Sequence, residues 1–181
     1  IYKGINKLTP GSFLQFSINN KELISVTPYW SLSKVTTNGQ KKPLNCSDGK
    51  AVSLLENCLG DAVEDQLLAD VPLGAFLSGG IDSSLIVSMM KVRSTQPVKT
   101  FTIGFDESEY NEAGHAKAVA KHLGTEHSEL YISPHDALDV IPQLSEIYDE
   151  PFADSSQIPT FLIAKMASSD VKVALSGDGG D

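Results

Sequence analysis

Cysteine is scarce in this sequence: Cys46 and Cys58 are the only two among 181 residues. Two thiols are too few for the disulfide framework of a small secreted domain, and no charged-then-apolar leader opens the chain, so a reducing cytoplasm is the expected compartment. Long apolar runs are missing too. The longest have the length of a strand, far short of the ~20 residues that cross a bilayer as a helix. Basic residues are outnumbered, 14 Lys and Arg against 23 Asp and Glu, for a formal charge of -9. Such a surface repels a phosphate backbone, which disfavours generic nucleic-acid binding but leaves room for a local pocket that takes a small phosphorylated ligand. With 41% hydrophobic residues the chain can still bury a core, and disordered, collagen-like and fibrous classes do not fit.

What is present divides near residue 47. Residues 1–45 are rich in Thr, Ser, Asn, Lys and Pro, and the alternating segments Ser12 to Ile18 and Glu22 to Val26 flank Asn19-Asn20-Lys21. That pattern predicts a hairpin. Lys34 to Ser47, with Asn38-Gly39 and Lys41-Lys42-Pro43 and almost nothing apolar, reads as a loop or linker. From Ser47-Asp48, which can cap a helix, apolar residues recur at three- and four-residue spacing through Val52, Leu55, Leu59, Val63 and Leu67. The spacing predicts a helix of about 20 residues ending before Asp70-Val71-Pro72, with Cys58 on its apolar face as a buried, inert thiol.

Strands and helices then alternate. Strands are predicted at Leu73 to Leu77, Val98 to Ile103, His127 to Ile132 and Val171 to Leu175. Helices are predicted through Leu85 to Met90, at Asn111 to His122, around Asp136 to Tyr148 and at Gln157 to Ser168. This order predicts an α/β fold, a parallel sheet with helices on both faces. The chain starts at Ile1 and stops at Asp181 inside a glycine-rich turn, so a fragment of a longer polypeptide is expected.

Two segments carry chemistry. Ser78-Gly79-Gly80-Ile81-Asp82-Ser83-Ser84 lies between a predicted buried strand and a helix start. Paired glycines let backbone approach a ligand closely, and the N–H groups and dipole of the first helical turn favour an anion, here a phosphate or pyrophosphate ringed by three hydroxyls. Asp82 would repel that anion unless a hard cation such as Mg²⁺ lay between them. The spacing is neither that of a Walker A loop, since no lysine follows the glycines, nor the dinucleotide Gly-x-Gly-x-x-Gly. A helix merely capped by Ser78 and Asp82 is the alternative. The second segment, Ser176-Gly177-Asp178-Gly179-Gly180-Asp181, follows the last predicted strand. Ligands collect at the carboxyl ends of strands in an open parallel sheet, so both turns can face one crevice, with Asp82 and Asp181 bracketing the metal. A solvated terminal turn is the competing reading.

Ser78 to Ser84 matches the pyrophosphatase-type loop of ATP-dependent synthetases. Together with Ala75 to Leu77, Thr100 to Phe105, Glu109 to Glu112 and Ser176 to Asp181, it resembles the synthetase domain of glutamine-hydrolysing asparagine synthetases, over most of residues 47–181. The resemblance implies an adenine nucleotide alpha hydrolase-like, Rossmann-like fold and ATP and Mg²⁺ as ligands. It further implies that Phe76 and Ile103 line the adenine pocket, that Ser78, Gly79, Gly80, Ser83 and Ser84 cradle pyrophosphate, that Ser176 and Gly177 touch the nucleotide, and that Asp82 and Asp181 hold the metal. Asp178 stands where relatives carry a glutamate thought to assist ammonia attack, and becomes a candidate acid/base one methylene shorter. Residues 148–156 are expected to border the substrate pocket.

By the same resemblance residues 1–33 form the tail of an amino-terminal glutaminase domain, 34–46 a linker and 47–181 the ATP-binding domain, truncated at its carboxyl end. The implied reaction adenylates a carboxylate, that of aspartate, for amination by ammonia from glutamine. Relatives that close a β-lactam ring or amidate another carboxylate are the rivals among enzymes, and a nucleotide-binding fragment without turnover is the rival outside them. The expected partners are small-molecule substrates and the glutaminase domain, with a homodimer left open. His115, His122 and His127 suggest zinc only weakly, since no Cys or acid completes a ligand set, and Lys117, Lys121 and His122 read as a solvated helix face.

Overall fold

The structure is a computed structural model that describes residues 2–105, 111–151 and 153–179. Two compact units are separable, Ile1–Val52 and Ser53–Asp181.

In the first unit, β1 (Ser12–Ser17) and β2 (Glu22–Pro28) form the expected antiparallel hairpin, in register from Ser12↔Pro28 to Ser17↔Glu22 with an irregularity between Gln15 and Phe16. Lys21 closes the turn at φ 54, in the left-handed region. Gly11, at φ +69, sits where a Cβ would lie 2.4 Å from the Trp30 carbonyl oxygen. Its own carbonyl accepts from the N–H groups of Tyr29 (2.8 Å) and Trp30 (3.1 Å), tying the hairpin base together. The stretch read as a loop from Lys34 is instead helical through Lys41: α1 spans Leu32–Lys41, with the Ser31 hydroxyl accepting from the Lys34 N–H at 3.5 Å. No residue of α1 is buried. The helix is therefore held by its cap and local bonds; Leu32 and Val35, its large apolar residues, are both exposed and join no core.

The second unit is built on four parallel strands. In chain order β3 (Leu73–Phe76), β4 (Lys99–Phe105), β5 (Glu126–Ile132) and β6 (Val173–Leu175) assemble as β5-β4-β3-β6. The crossovers are α3 (Ile81–Arg93), α4 (Ala113–Leu123) and, between β5 and β6, α5 (Pro134–Val140), a 3₁₀ turn at Ile141–Gln143, α6 (Leu144–Ile147) and α7 (Gln157–Ala167). The region predicted helical from Asp136 to Tyr148 is interrupted because Pro142 cannot donate to the helical ladder.

Strand alternation sorts the core into two layers. Ala75 and Leu77 join Val87 and Met90 of α3, Ala116 and Ala120 of α4 and Val63 of α2 (Asp48–Leu67) in one buried cluster. Phe101 packs with Ala167 and Val171 in a second, which Phe76, Ile163 and Met166 flank. Helices thus cover both faces of the sheet. Full burial of a side chain such as Phe101, Leu77 or Val87 stabilises by about 1.5–3 kcal/mol each. Cys58 is exposed, contrary to the expectation of a buried thiol. The reason is that α2 enters the core by Leu59, Val63 and Leu67, and Cys58 lies about 100° around the helix from Leu59; Val52 and Leu55, on the same stripe but nearer the helix start, are exposed as well. Among the described residues no helix is long and apolar enough to cross a membrane.

Candidate functional site

The order β5-β4-β3-β6 places the first strand of the sheet between the second and the last. The crossovers leaving β3 therefore run to one side and the return to β6 comes up on the other, and loops at such a reversal part to leave a crevice at the strands' carboxyl ends. A cavity of about 470 Å³ opens there.

Its floor is the turn after β3. Leu77 donates its N–H to the Phe101 carbonyl at 2.9 Å, extending the ladder one rung past Phe76↔Phe101. The chain then reverses at Gly79, φ +83, where a Cβ would lie 2.7 Å from the Ala116 N and 2.9 Å from the His115 carbonyl carbon of α4. Gly79 is thus needed on two counts, backbone angle and clearance, and its place is beneath the cavity lining. Gly80 is the N-cap of α3 and no side chain caps the helix there; the Ser83 hydroxyl instead braces the turn that leads into it. Ser83 Oγ accepts from the Ser78 N–H (3.2 Å), donates to the Gly80 carbonyl (3.3 Å) and lies 3.0 Å from Ser78 Oγ. Ser78 Oγ in turn accepts from the Gly80 N–H at 3.3 Å. The assignment satisfying all four contacts has Ser78 donating to Ser83. The N–H groups of Ile81, Asp82 and Ser83 belong to the helical turn that has no intrahelical acceptors, and Asp82 projects into the cavity beside them.

The turn after β6 forms the opposite lip. Asp178 is folded back onto Ser176: the Ser176 hydroxyl donates to Asp178 Oδ2 at 3.1 Å and accepts from the Asp178 N–H at 3.3 Å. Gly177 lies directly against the first turn of α3, since a Cβ there would come within 2.6 Å of the Ser83 N and 2.9 Å of the Asp82 carbonyl carbon. The two glycine turns predicted to share a crevice do meet.

Nine of the residues singled out in the sequence line this one cavity: Phe76, Ser78, Gly80, Asp82, Ser83, Ile103, Ser176, Gly177 and Asp178. Ser84 does not; its hydroxyl is buried without a hydrogen-bond partner. Asp181 lies outside the described residues, as do Glu109 and Tyr110. The described residues of 148–156 are absent from the lining, and Pro159, Thr160 and Ile163 of α7 supply that wall. Asp154 accepts from the Ser156 N–H at 2.8 Å, and the bonds from Ser156 hold its carboxyl below the usual range. Thr102, Phe105 and Glu112 are lining residues given no role from the sequence, although Thr102 and Phe105 sit in the quoted segment Thr100 to Phe105 and Glu112 in Glu109 to Glu112.

Phe76, Ile103, Phe105 and Ile163 contribute apolar lining to the cavity, and Asp82, Glu112 and Asp178 contribute carboxylates. No lysine or arginine is among the described lining residues. No group of three His, Cys, Asp or Glu able to enclose a metal occurs among the described residues. Mg²⁺ does not require one: it keeps several waters and binds through one or two carboxylates plus phosphate oxygens, a donor set that Asp82 at a helix N-terminus fits. An apolar slot, a row of helix-end N–H groups and adjacent carboxylates can together take a base, an anionic chain and its counter-cation.

Comparison with known proteins finds relatives across the whole chain. The asparagine synthase family model matches residues 54–181. A Methanocaldococcus jannaschii protein with the provisional name asparagine synthetase [glutamine-hydrolyzing] 2 is 40% identical over 182 residues, covering 100% of this chain and 34% of that protein. Asparagine synthetase [glutamine-hydrolyzing] 1 of Bacillus subtilis is 37% identical over 177 residues, covering 98% of this chain and 26% of its own length. The chain therefore spans about a third or less of these relatives. The solved NH3-dependent NAD synthetase of Campylobacter jejuni aligns at TM-score 0.48 and 15% identity, over 67% of this chain and 54% of that one.

Proposed function

The chain belongs to the asparagine synthase family, and from that membership we propose that it provides the ATP-binding part of an amide-forming synthetase. The observation that carries the proposal is the meeting of two glycine turns at the strand-order reversal, where Gly177 lies against the Ser83 N–H and both turns border one cavity. In this reading the substrate carboxylate, that of aspartate, attacks the α-phosphorus of ATP. The bond to the β,γ-pyrophosphate breaks, an acyl-adenylate forms, and ammonia from glutamine then attacks the acyl carbon as AMP leaves.

The protein's part is positioning and charge stabilisation. Phe76 and Ile103 hold the base. Ser78, Gly80, Ser83 and the first-turn N–H groups receive the pyrophosphate, Gly79 shapes their turn, and Ser176 and Gly177 close over the nucleotide. Ser84, with its buried unpaired hydroxyl, contributes only through a rearrangement of that turn. Asp82 and Asp181 would hold Mg²⁺, which when bound neutralises charge on the leaving pyrophosphate. Asp178 would manage the ammonia proton. The lining carries no cation of its own among the described residues, so the charge developing on the phosphates needs a basic residue from elsewhere in the full polypeptide.

We further assign residues 1–33 to the tail of a glutaminase domain that feeds ammonia to residues 47–181, with 34–46 joining them and the cytoplasm as the site of action. Titration of the full polypeptide with ATP and Mg²⁺, with and without aspartate, tests the reading. Mg²⁺-dependent binding that Asp82→Ala abolishes, with aspartate-dependent pyrophosphate release, is the expected result. Binding without turnover would leave a nucleotide module, turnover with a different carboxylate would change the substrate, and no binding by a folded chain would overturn the site.

A further inference from the structure

The peptide unit joining Leu77 to Ser78 is gripped at both ends. Its carbonyl, on Leu77, accepts from Thr102 Oγ1, and its N–H, on Ser78, donates to Ser83 Oγ at 3.2 Å. The two bonds point in opposite directions from one planar group, so together they fix its rotation about the chain axis. Neither is part of the regular ladder. The backbone pairing of β3 with β4 ends at Phe76↔Phe101, with the added bond from the Leu77 N–H to the Phe101 carbonyl. One residue further, a side chain of β4 substitutes for the missing strand partner. Thr102 borders the cavity but is only 2% exposed, and it has no charge to offer a ligand.

We propose that Thr102 is a positioning residue for the nucleotide's phosphates: by holding the Leu77 carbonyl it sets the plane from which the glycine turn departs, and so aims the turn's N–H groups at the anion. The inference rests on the nucleotide reading above. Everything after Ser78 inherits its direction from this peptide, because the Ser78 hydroxyl fixes Gly80 and the Ser83 hydroxyl fixes both Ser78 and Gly80. A rotated peptide would point the Leu77 carbonyl, an electronegative group, toward the space where the phosphates are to lie, and would release Ser83 Oγ from its donor. A β-branched valine at 102 fills the same volume but cannot donate, leaving a carbonyl that nothing else in the described surroundings satisfies.

The test compares wild type, Thr102→Val and Thr102→Ser in the full polypeptide, titrated separately with Mg-ATP and with adenosine. Thr102→Val should weaken Mg-ATP by at least about tenfold and leave adenosine affinity within about twofold. Thr102→Ser, which keeps the hydroxyl, should restore Mg-ATP binding. A purely structural role would weaken both ligands alike and would track thermal stability, so equal losses overturn the proposal, as does a Thr102→Val protein that binds Mg-ATP normally. If Thr102→Val does not fold, Thr102→Ser and Thr102→Ala decide: the alanine variant must lose ATP selectively while serine keeps it. Wild type that binds adenosine and Mg-ATP equally weakly would instead remove the nucleotide reading, a result distinct from any of these.

Discussion

The turn that follows β3 runs straight into a helix of 13 residues, whereas the described part of the turn that follows β6 is held by its own side chains, Ser176 and Asp178. The first is fastened to three neighbours: β4 through Leu77, α4 through Gly79 and its own helix through Ser83. The second touches the first through a bare glycine Cα and otherwise lies exposed. Both present a glycine beside an acid, and the sequence alone makes them look equivalent. Their supports suggest a division of labour, a rigid cradle below and an adaptable lip above.

Substitutions sharpen the contrast, beginning with the most damaging. Gly79→Ala forces a side chain into the left-handed region and against the α4 backbone, so urea denaturation should show a loss of about 2–4 kcal/mol. Ser83→Ala removes three contacts from a buried position and should cost about 1–2 kcal/mol of stability together with Mg-ATP affinity. A stability unchanged from wild type would mean that the cradle is no stiffer than the lip.

Gly177→Ala places a Cβ against the Ser83 N–H without demanding an unusual φ. The lip or the helix start must shift, so calorimetry should register at least about a tenfold loss of Mg-ATP affinity, with a stability loss of about 1–2 kcal/mol, smaller than that of Gly79→Ala. Ser176→Ala, in the exposed turn, should change stability by less than about 0.5 kcal/mol, and a larger loss would show that the lip also carries structure.

The smallest effect lies away from both turns. His127 on β5 contacts Thr100 Oγ1 through Nδ1 at 2.9 Å, its buried Nε2 has no partner, and burial holds its pKa below 6.5, with Glu129 opposing that shift and Lys117 adding to it. A lowered folded value means that the unfolded chain takes the proton first. This contribution to stability is complete above pH 6.5 and is lost as pH falls from there through the folded value. Urea midpoints should decline over that interval and flatten in His127→Asn, with nucleotide affinity at neutral pH unaltered.

The strand-turn-helix around Ser78 is legible from sequence because three signals coincide there: a short buried apolar run, paired glycines and a helix start. The parallel sheet is legible from the regular alternation, and the pairing of the two turns follows from where a parallel sheet keeps its loops. Helix α1 escapes because residues 32–41 are largely polar and contain Asn38-Gly39, which reads as turn chemistry, while none of their side chains is buried. Cys58 is misplaced because the stripe that enters the core, Leu59, Val63 and Leu67, runs at four-residue spacing, and a residue adjacent to Leu59 lies about 100° around the helix from it. The wall of Pro159, Thr160 and Ile163 is invisible for a different reason. Those side chains reach the cavity only because α7 lies across β4, a relation between distant segments that no local pattern encodes. Thr102 could have been suspected, as could Thr100, since a threonine in a buried strand asks where its hydroxyl goes.

The position of β3 between β4 and β6 also bears on timing. Pairing of β3 with β4 closes a short loop, but β6 comes from far along the chain, and contacts of high sequence separation form late. Gly177 can reach the Ser83 N–H only after β6 has docked. During refolding, amide protection in β3 and β4 should precede the ability to retain nucleotide, so that a nascent chain would acquire its scaffold before its ligand and ATP could favour only the last assembly step.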